Sequence, residues 1–165
     1  MINLNSMFIP NQAASNDFEF KNDHSRCLAK NTRVLMGDNS KKNIQDISIG
    51  DQVKNEQLRS VSVTDICTGN ERSLILMSLA DGSILEATGD HPVQTENGLK
   101  PIKKLRIGEM VQGVAGLQAV QDLRIIDYNN TVYNLILNCE SHLMICEGII
   151  VGDFFSQTLS NRKNT

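Results

Sequence analysis

The feature that most constrains this chain is an internal repeat. The stretch KNIQDISIGDQV, from Lys42 to Val53, returns as KPIKKLRIGEMV, from Lys100 to Val111. At one constant offset Ile44 matches Ile102, Ile47 matches Leu105, Ile49 matches Ile107, Gly50 matches Gly108 and Asp51 matches Glu109. Equal spacing of aliphatic, glycine and acidic positions buries the same face and turns at the same point, so the two copies are expected to fold alike. A turn and a strand precede each copy, TRVLMGDNS and HPVQTENG, with Val34 and Val93 corresponding after a one-residue shift. The pattern predicts two pseudo-symmetric halves, with any shared site at the seam between them.

The local texture of both halves is β. From Cys27 to about residue 113, Ile, Val and Leu recur in short runs broken by turn signals such as Gly37-Asp38-Asn39, Asp81-Gly82 and Asn97-Gly98. That is the pattern of many short strands, an all-β domain, and helical periodicity is weak. Leu79 to Ile84 reads as a two-residue hairpin with Asp81-Gly82 at its tip. The later run TVYNLILNCESHLMICEGIIV breaks at Cys139-Glu140-Ser141 and at Glu147-Gly148 and closes like a final hairpin. Residues 1–26, rich in Asn, Ser and Asp, read as a loosely ordered leader; residues 27–153 form the domain, and 154–165 a short polar tail.

Charge and composition narrow the function. With 16 Lys+Arg against 19 Asp+Glu among 165 residues and no basic block, the chain has no phosphate-binding face, so nucleic acid is not an expected partner. The apolar runs are too short to span a bilayer, and the first residues lack the basic and apolar regions of a signal peptide. The expectation is a cytoplasmic monomer with no membrane contact. Cys27, Cys67, Cys139 and Cys146 are then expected as reduced thiols. Cys139, His142 and Cys146 have ligand types that zinc accepts, but a fourth ligand is not evident. No metal or other cofactor is expected, and Cys67 and Cys146 are read as core residues.

Four elements stand in order: Cys27 at an abrupt start, Thr88-Gly-Asp-His91 before the second repeat, His142 in the final hairpin, and Gly152-Asp153 at its end. On these residues the sequence resembles the Hint (Hedgehog/intein) superfamily. CLAKNTRVLMGDNSKKNIQDISIGDQV, ATGDHPVQTENGLKPIKKLRIGEMV and VYNLILNCESHLMICEGIIVGD carry the resemblance, over roughly residues 27 to 153. It implies an all-β horseshoe of two pseudo-two-fold related subunits. The short connection between the halves leaves no room for an inserted endonuclease, so a mini-intein or a bacterial intein-like domain is the nearest likeness.

The resemblance also implies self-processing at the Arg26-Cys27 bond, and the chemistry can be argued separately. A thiol is the best side-chain nucleophile available, and Cys27 is covalently held beside the Arg26 carbonyl, so attack is intramolecular. The amide nitrogen must then be protonated to leave. By the resemblance His91 is that proton donor, with an ordinary histidine pKa suited to the task, and Thr88 hydrogen-bonds near the scissile peptide. His142 matches a histidine that assists C-terminal cleavage. Asn134 stands where many inteins carry an Asp that supports the thiol steps, and it can hydrogen-bond but not take a proton.

The end of the domain departs from the family. Where complete inteins finish in His-Asn followed by Cys, Ser or Thr, this chain has Gly152, Asp153 and Phe154. Phenylalanine cannot accept an acyl group, so ordinary splicing is not expected. The reading is therefore thioester formation at Cys27 by an N-to-S acyl shift, then hydrolysis or transfer of the leader to an external thiol or amine. That is single-turnover autoproteolysis, with the chain's own N-terminal segment as substrate. The alternative is a Hint fold that does not process and serves as a binding or scaffold module.

Overall fold

The computed structural model describes residues 26–155, so the leader before Arg26 and the tail after Phe155 lie outside the described residues. Within that range the chain is all β, with two short 3-10 turns and no α-helix. The strands are β1 (Leu28–Ala29), β2 (Arg33–Leu35), β3 (Lys41–Asn43), β4 (Gln52–Lys54), β5 (Ser60–Leu79) and β6 (Ile84–Ala87). They continue as β7 (Pro92–Thr95), β8 (Gly98–Pro101), β9 (Met110–Gly113), β10 (Gly116–Leu137), β11 (Leu143–Cys146) and β12 (Ile149–Gly152).

The repeat becomes a repeat of hydrogen bonds. In the first half Ile44 N–H donates to Thr32 O (2.8 Å), Gly50 N–H to Val63 O (2.8 Å) and Val63 N–H to Asp51 O (2.9 Å). In the second, Ile102 donates to His91 (3.0 Å), Gly108 to Val120 (2.8 Å) and Val120 to Glu109 (2.9 Å). The paired acids explain themselves: Asp51 accepts the Ser48 N–H and the Lys42 ammonium, as Glu109 accepts those of Arg106 and Lys100. Gly50 and Gly108 both sit at positive φ, 97° and 90°, where a side chain would be strained. The one-residue shift is also accounted for. Leu35 pairs Lys41 where Gln94 pairs Leu99, so the first half's connecting turn is one residue longer.

Two strands depart from the expectation of uniformly short ones. β5 and β10, of 20 and 22 residues, run antiparallel along most of their length. The stretch QDLRIIDYNNT in β10 follows no polar–apolar alternation and contains no fully buried residue, with Ile125 77% exposed, so it lacks a hydrophobic signature. Register shifts at Val120/Asp122, Asp127/Asn130 and Ile136/Leu137 mark bulges or irregularities, which bend such a ribbon. The Asp81-Gly82 hairpin also differs from expectation. Leu79 N–H bonds Ser83 O, which leaves a three-residue loop, and Gly82 alone takes positive φ while Asp81 Oδ1 accepts the Ser83 N–H. Glu147-Gly148 is the true two-residue turn, both at positive φ, and it closes β11 onto β12. The TVYNLIL stretch belongs to β10 instead of that hairpin.

One main core unites both halves, with Val34, Ile44, Val53, Val93, Ile102 and Val111 as equivalent buried positions. β1 inserts between β10 and β6, with Leu28 opposite both Tyr133 and Ala87. This placement brings the start of the domain to the seam. No helix among the described residues is long and apolar enough to cross a membrane.

Candidate active site

The register of β1 builds the site. Because Leu28 pairs Tyr133 on one side and Ala87 on the other, Cys27 lies one step on, level with Asn134 and Thr88. Asn134 is in turn opposite Cys67 of β5. All three residues are fully or almost fully buried, as is Cys67.

The Arg26-Cys27 peptide is gripped at both ends. Thr88 Oγ1 accepts the Cys27 N–H at 2.9 Å, and the Thr88 N–H donates to the Cys27 carbonyl at 3.0 Å. Asn134 Nδ2 donates to the Arg26 carbonyl oxygen at 2.5 Å. Asn134 Oδ1 accepts the Leu135 N–H at 2.7 Å, and that bond fixes which end of the amide faces the carbonyl. Asn134 is thus a donor aimed at the oxygen that gains charge when the carbonyl is attacked.

His91 arrives on a tight loop. His91 N–H bonds Thr88 O at 3.0 Å, and Lys103 N–H bonds Gly89 O at 2.9 Å, which ties the loop to the second 3-10 turn (Ile102–Lys104). A Cβ on Gly89 would come within 3.2 Å of the Lys103 Cβ, so a larger residue there would have to displace Lys103 slightly. The imidazole is completely buried, and neither ring nitrogen has a hydrogen-bond partner among the described residues. Burial lowers its pKa to about 4, opposed by the backbones of Arg26 and Gly152 and assisted by the Arg26 charge. Those backbones are near enough to act on the ring electrostatically without making aligned hydrogen bonds. The ordinary histidine pKa expected from sequence is therefore corrected: the resting ring is neutral at physiological pH. Thr32 and Ala29 hold the corresponding positions in the first half, so only one copy of the repeat carries the Thr and His.

The end of the domain closes the other side. Asp153 is fully buried; its Oδ2 accepts the Leu137 N–H at 2.8 Å and lies 2.9 Å from His142 Nδ1, while its Oδ1 accepts the Phe155 N–H at 2.8 Å. His142 sits at φ 56° in the turn before β11, and stacks on Phe155 with ring centroids 4.9 Å apart. Phe154 N–H donates to Leu135 O at 2.9 Å, and the Phe154 ring lies under the Arg26 guanidinium. Both ends of the domain therefore meet around β10, and Phe154 and Phe155 are docked where the sequence suggested the start of a loose tail.

Cys67 lies beside this site, whereas Cys139 and Cys146 belong to the final hairpin and its approach. Cys27, Cys67, Cys139 and Cys146 are all unbridged, and burial pushes the Cys67 and Cys146 thiols up from their ordinary pKa. Among the described residues no group of three or more His, Cys, Asp and Glu is arranged to hold a metal. Cys139 lies 3.7 Å from Ser141 Oγ, and His142 is engaged by Asp153.

The fold has counterparts among solved structures. The gp41-1 intein superposes with a TM-score of 0.69 at 19% identity, covering 76% of this chain and 97% of that one. The chain has the Hint fold. The bacterial intein-like domain from Clostridium thermocellum matches with a TM-score of 0.69 at 19% identity, covering 78% of this chain and 99% of that domain. A DnaB intein from Synechocystis sp. PCC 6803 gives 0.68 at 16% identity, with 78% and 99% covered. No protein-family model and no curated protein sequence matches the chain. The two related halves expected from the repeat are thus the halves of a Hint fold, and the resemblance drawn from its scattered motifs holds at the level of structure.

Proposed function

We propose that this Hint domain activates and cleaves its own Arg26-Cys27 peptide bond through a thioester, without ordinary splicing. The observation that carries this reading is the grip on that one peptide, with Asn134 Nδ2 at 2.5 Å from the carbonyl oxygen and Thr88 Oγ1 at 2.9 Å from the nitrogen. A core cysteine with no reaction to perform does not require its preceding amide to be polarised at both ends.

The chemistry follows from the groups present. Neutral His91 takes the proton of the Cys27 thiol, and Sγ attacks the Arg26 carbonyl carbon. Charge gathers on the carbonyl oxygen, where Asn134 donates. The imidazolium is a strong acid in its apolar setting and returns the proton to the amide nitrogen, whose developing positive charge faces Thr88 Oγ1. The C–N bond breaks, leaving a thioester between Arg26 and Cys27 Sγ and an amino group on Cys27. A water molecule or an external thiol or amine then attacks the thioester carbonyl, and its proton passes to Sγ as the leader departs.

Splicing has no route in this reading. Phe154 offers no nucleophile, and the Asp153 carboxylate is held by two N–H donors and lies beside His142. Its oxygens are therefore occupied when they would have to attack their own carbonyl.

The test is the intact mass of the whole chain with and without dithiothreitol or hydroxylamine. The expected product is a fragment ending at Arg26, absent from Cys27→Ala. A wild-type chain that keeps a single mass through long exposure to thiol favours instead a Hint fold kept for binding or scaffolding.

A further inference from the structure

The Arg26 guanidinium carbon lies 5.6 Å from the centroid of the Phe154 ring. Phe154 is not a passing neighbour. It packs against the buried cluster of Cys27, Ala29, Leu74 and Val132, and its backbone is fixed by Leu135 on one side and the anchored Asp153 on the other. By the resemblance to inteins the ring stands where a splicing chain has its acceptor nucleophile, and it contacts the residue whose carbonyl is proposed for attack.

We propose that Phe154 is a positioning and specificity residue for cleavage at Arg26-Cys27, its ring clamping the Arg26 side chain and selecting arginine at that position. This rests on the cleavage reading above. The Arg26 carbonyl is gripped by Asn134, and a second hold on the same residue's side chain removes the rotation that would swing the carbonyl off its donor. Aromatic faces attract guanidinium through their quadrupole, more strongly as water is excluded.

The surroundings fit a cation. Asp90, inside the Thr88–His91 loop, acts on Arg26 to favour its charge against the opposing effect of burial. Asp90 is also bound by Lys103 at 2.6 Å, so it is not given over to Arg26 as a bidentate fork. Arg26 Nε is correspondingly buried without a hydrogen-bond partner among the described residues. Recognition is therefore by ring face and charge, with the order arginine, then lysine, then neutral residues, and glutamate worst.

The test uses the full chain and thiol-induced cleavage followed by intact mass, with folding checked by circular dichroism. Phe154→Leu should slow cleavage roughly 2- to 30-fold, the range of one cation–aromatic contact. Phe154→Tyr should restore the rate. Arg26→Ala should slow cleavage comparably, and adding Phe154→Leu to Arg26→Ala should cost nothing further. Equal slowing by Phe154→Leu in the wild-type chain and in the Arg26→Ala variant would assign the ring a packing role only and overturn the clamp, as would an unslowed Phe154→Leu. A wild type inert to thiol overturns the cleavage reading and the clamp together, whereas additive losses in a cleaving chain overturn the clamp alone.

Discussion

Asn134 donates its side-chain amide to the carbonyl of Arg26 across 2.5 Å, although 108 positions separate the two residues. The contact exists because β1 threads between β10 and β6, which sets the residue before Leu28 level with the one after Tyr133. Asn134 therefore contacts the carbonyl oxygen of the bond proposed for cleavage, a different task from taking a proton.

That geometry separates two substitutions at one site. Asn134→Ala should slow thioester formation by about 100- to 1,000-fold, the usual cost of losing one donor to a developing oxyanion. Asn134→Asp should be at least as slow at neutral pH, since an ionised carboxylate opposite that oxygen repels the charge it should stabilise. Thiol-induced cleavage rates measure both, and an Asp variant faster than wild type would show that position 134 serves as a base.

A division of labour is expected in the Thr88–His91 loop. His91→Ala removes the group that relays the proton and should lose about 100- to 10,000-fold in cleavage. Thr88→Ala leaves the buried Cys27 N–H without its acceptor, at a cost of about 1–3 kcal/mol, and should lose less. Equal rates for His91→Ala and wild type, both folded by circular dichroism, would place the proton elsewhere.

Burial of His91 also makes stability depend on pH. Its pKa falls from 6.5 to about 4 on folding, so below pH 6.5 the unfolded chain takes up a proton that the folded one refuses. The stabilisation is fully present above pH 6.5 and is lost as pH falls toward 4, by about 3 kcal/mol in all. Urea denaturation of Cys27→Ala between pH 7 and 4 should show this loss, and the same series with His91→Gln added should show that much less of it.

At the other end, the Asp153-Phe154 bond should remain intact at neutral pH. Asp153→Asn replaces an acceptor with an amide NH2 facing N–H donors, so one hydrogen bond becomes a clash of donors. The variant should lose about 1–3 kcal/mol of stability without releasing the segment that begins at Phe154. Thermal denaturation and intact mass report the two outcomes separately, and spontaneous loss of that segment from wild type would contradict the assignment.

Much of this was legible in the amino-acid sequence. The doubled Ile-x-x-Ile-x-Ile-Gly-acid pattern determined two like halves, because its Gly and acid positions have local reasons and its first two aliphatic positions bury alike in the core. Gly50 and Gly108 serve positive φ, and Asp51 and Glu109 cap the turn three residues back. Cys27, Thr88, His91, Asn134 and Asp153 were marked by the resemblance to the Hint superfamily, not by residue type alone.

Tertiary structure decided the rest. The length of β10 was hidden because its stretch from 121 to 131 has no fully buried residue and shows no hydrophobic run, although its partner stretch 73–78 in β5 does. The neutral state of His91 depends on complete burial, which no count of neighbouring residues in the chain reveals. The meeting of Arg26 with Asn134 and Phe154 depends on strand register across the seam, whereas His142 meets Asp153 within the local β11–β12 hairpin. Sequence determines which groups a chain can offer; only the register of β1, β10 and β12 determined which of them share one peptide bond.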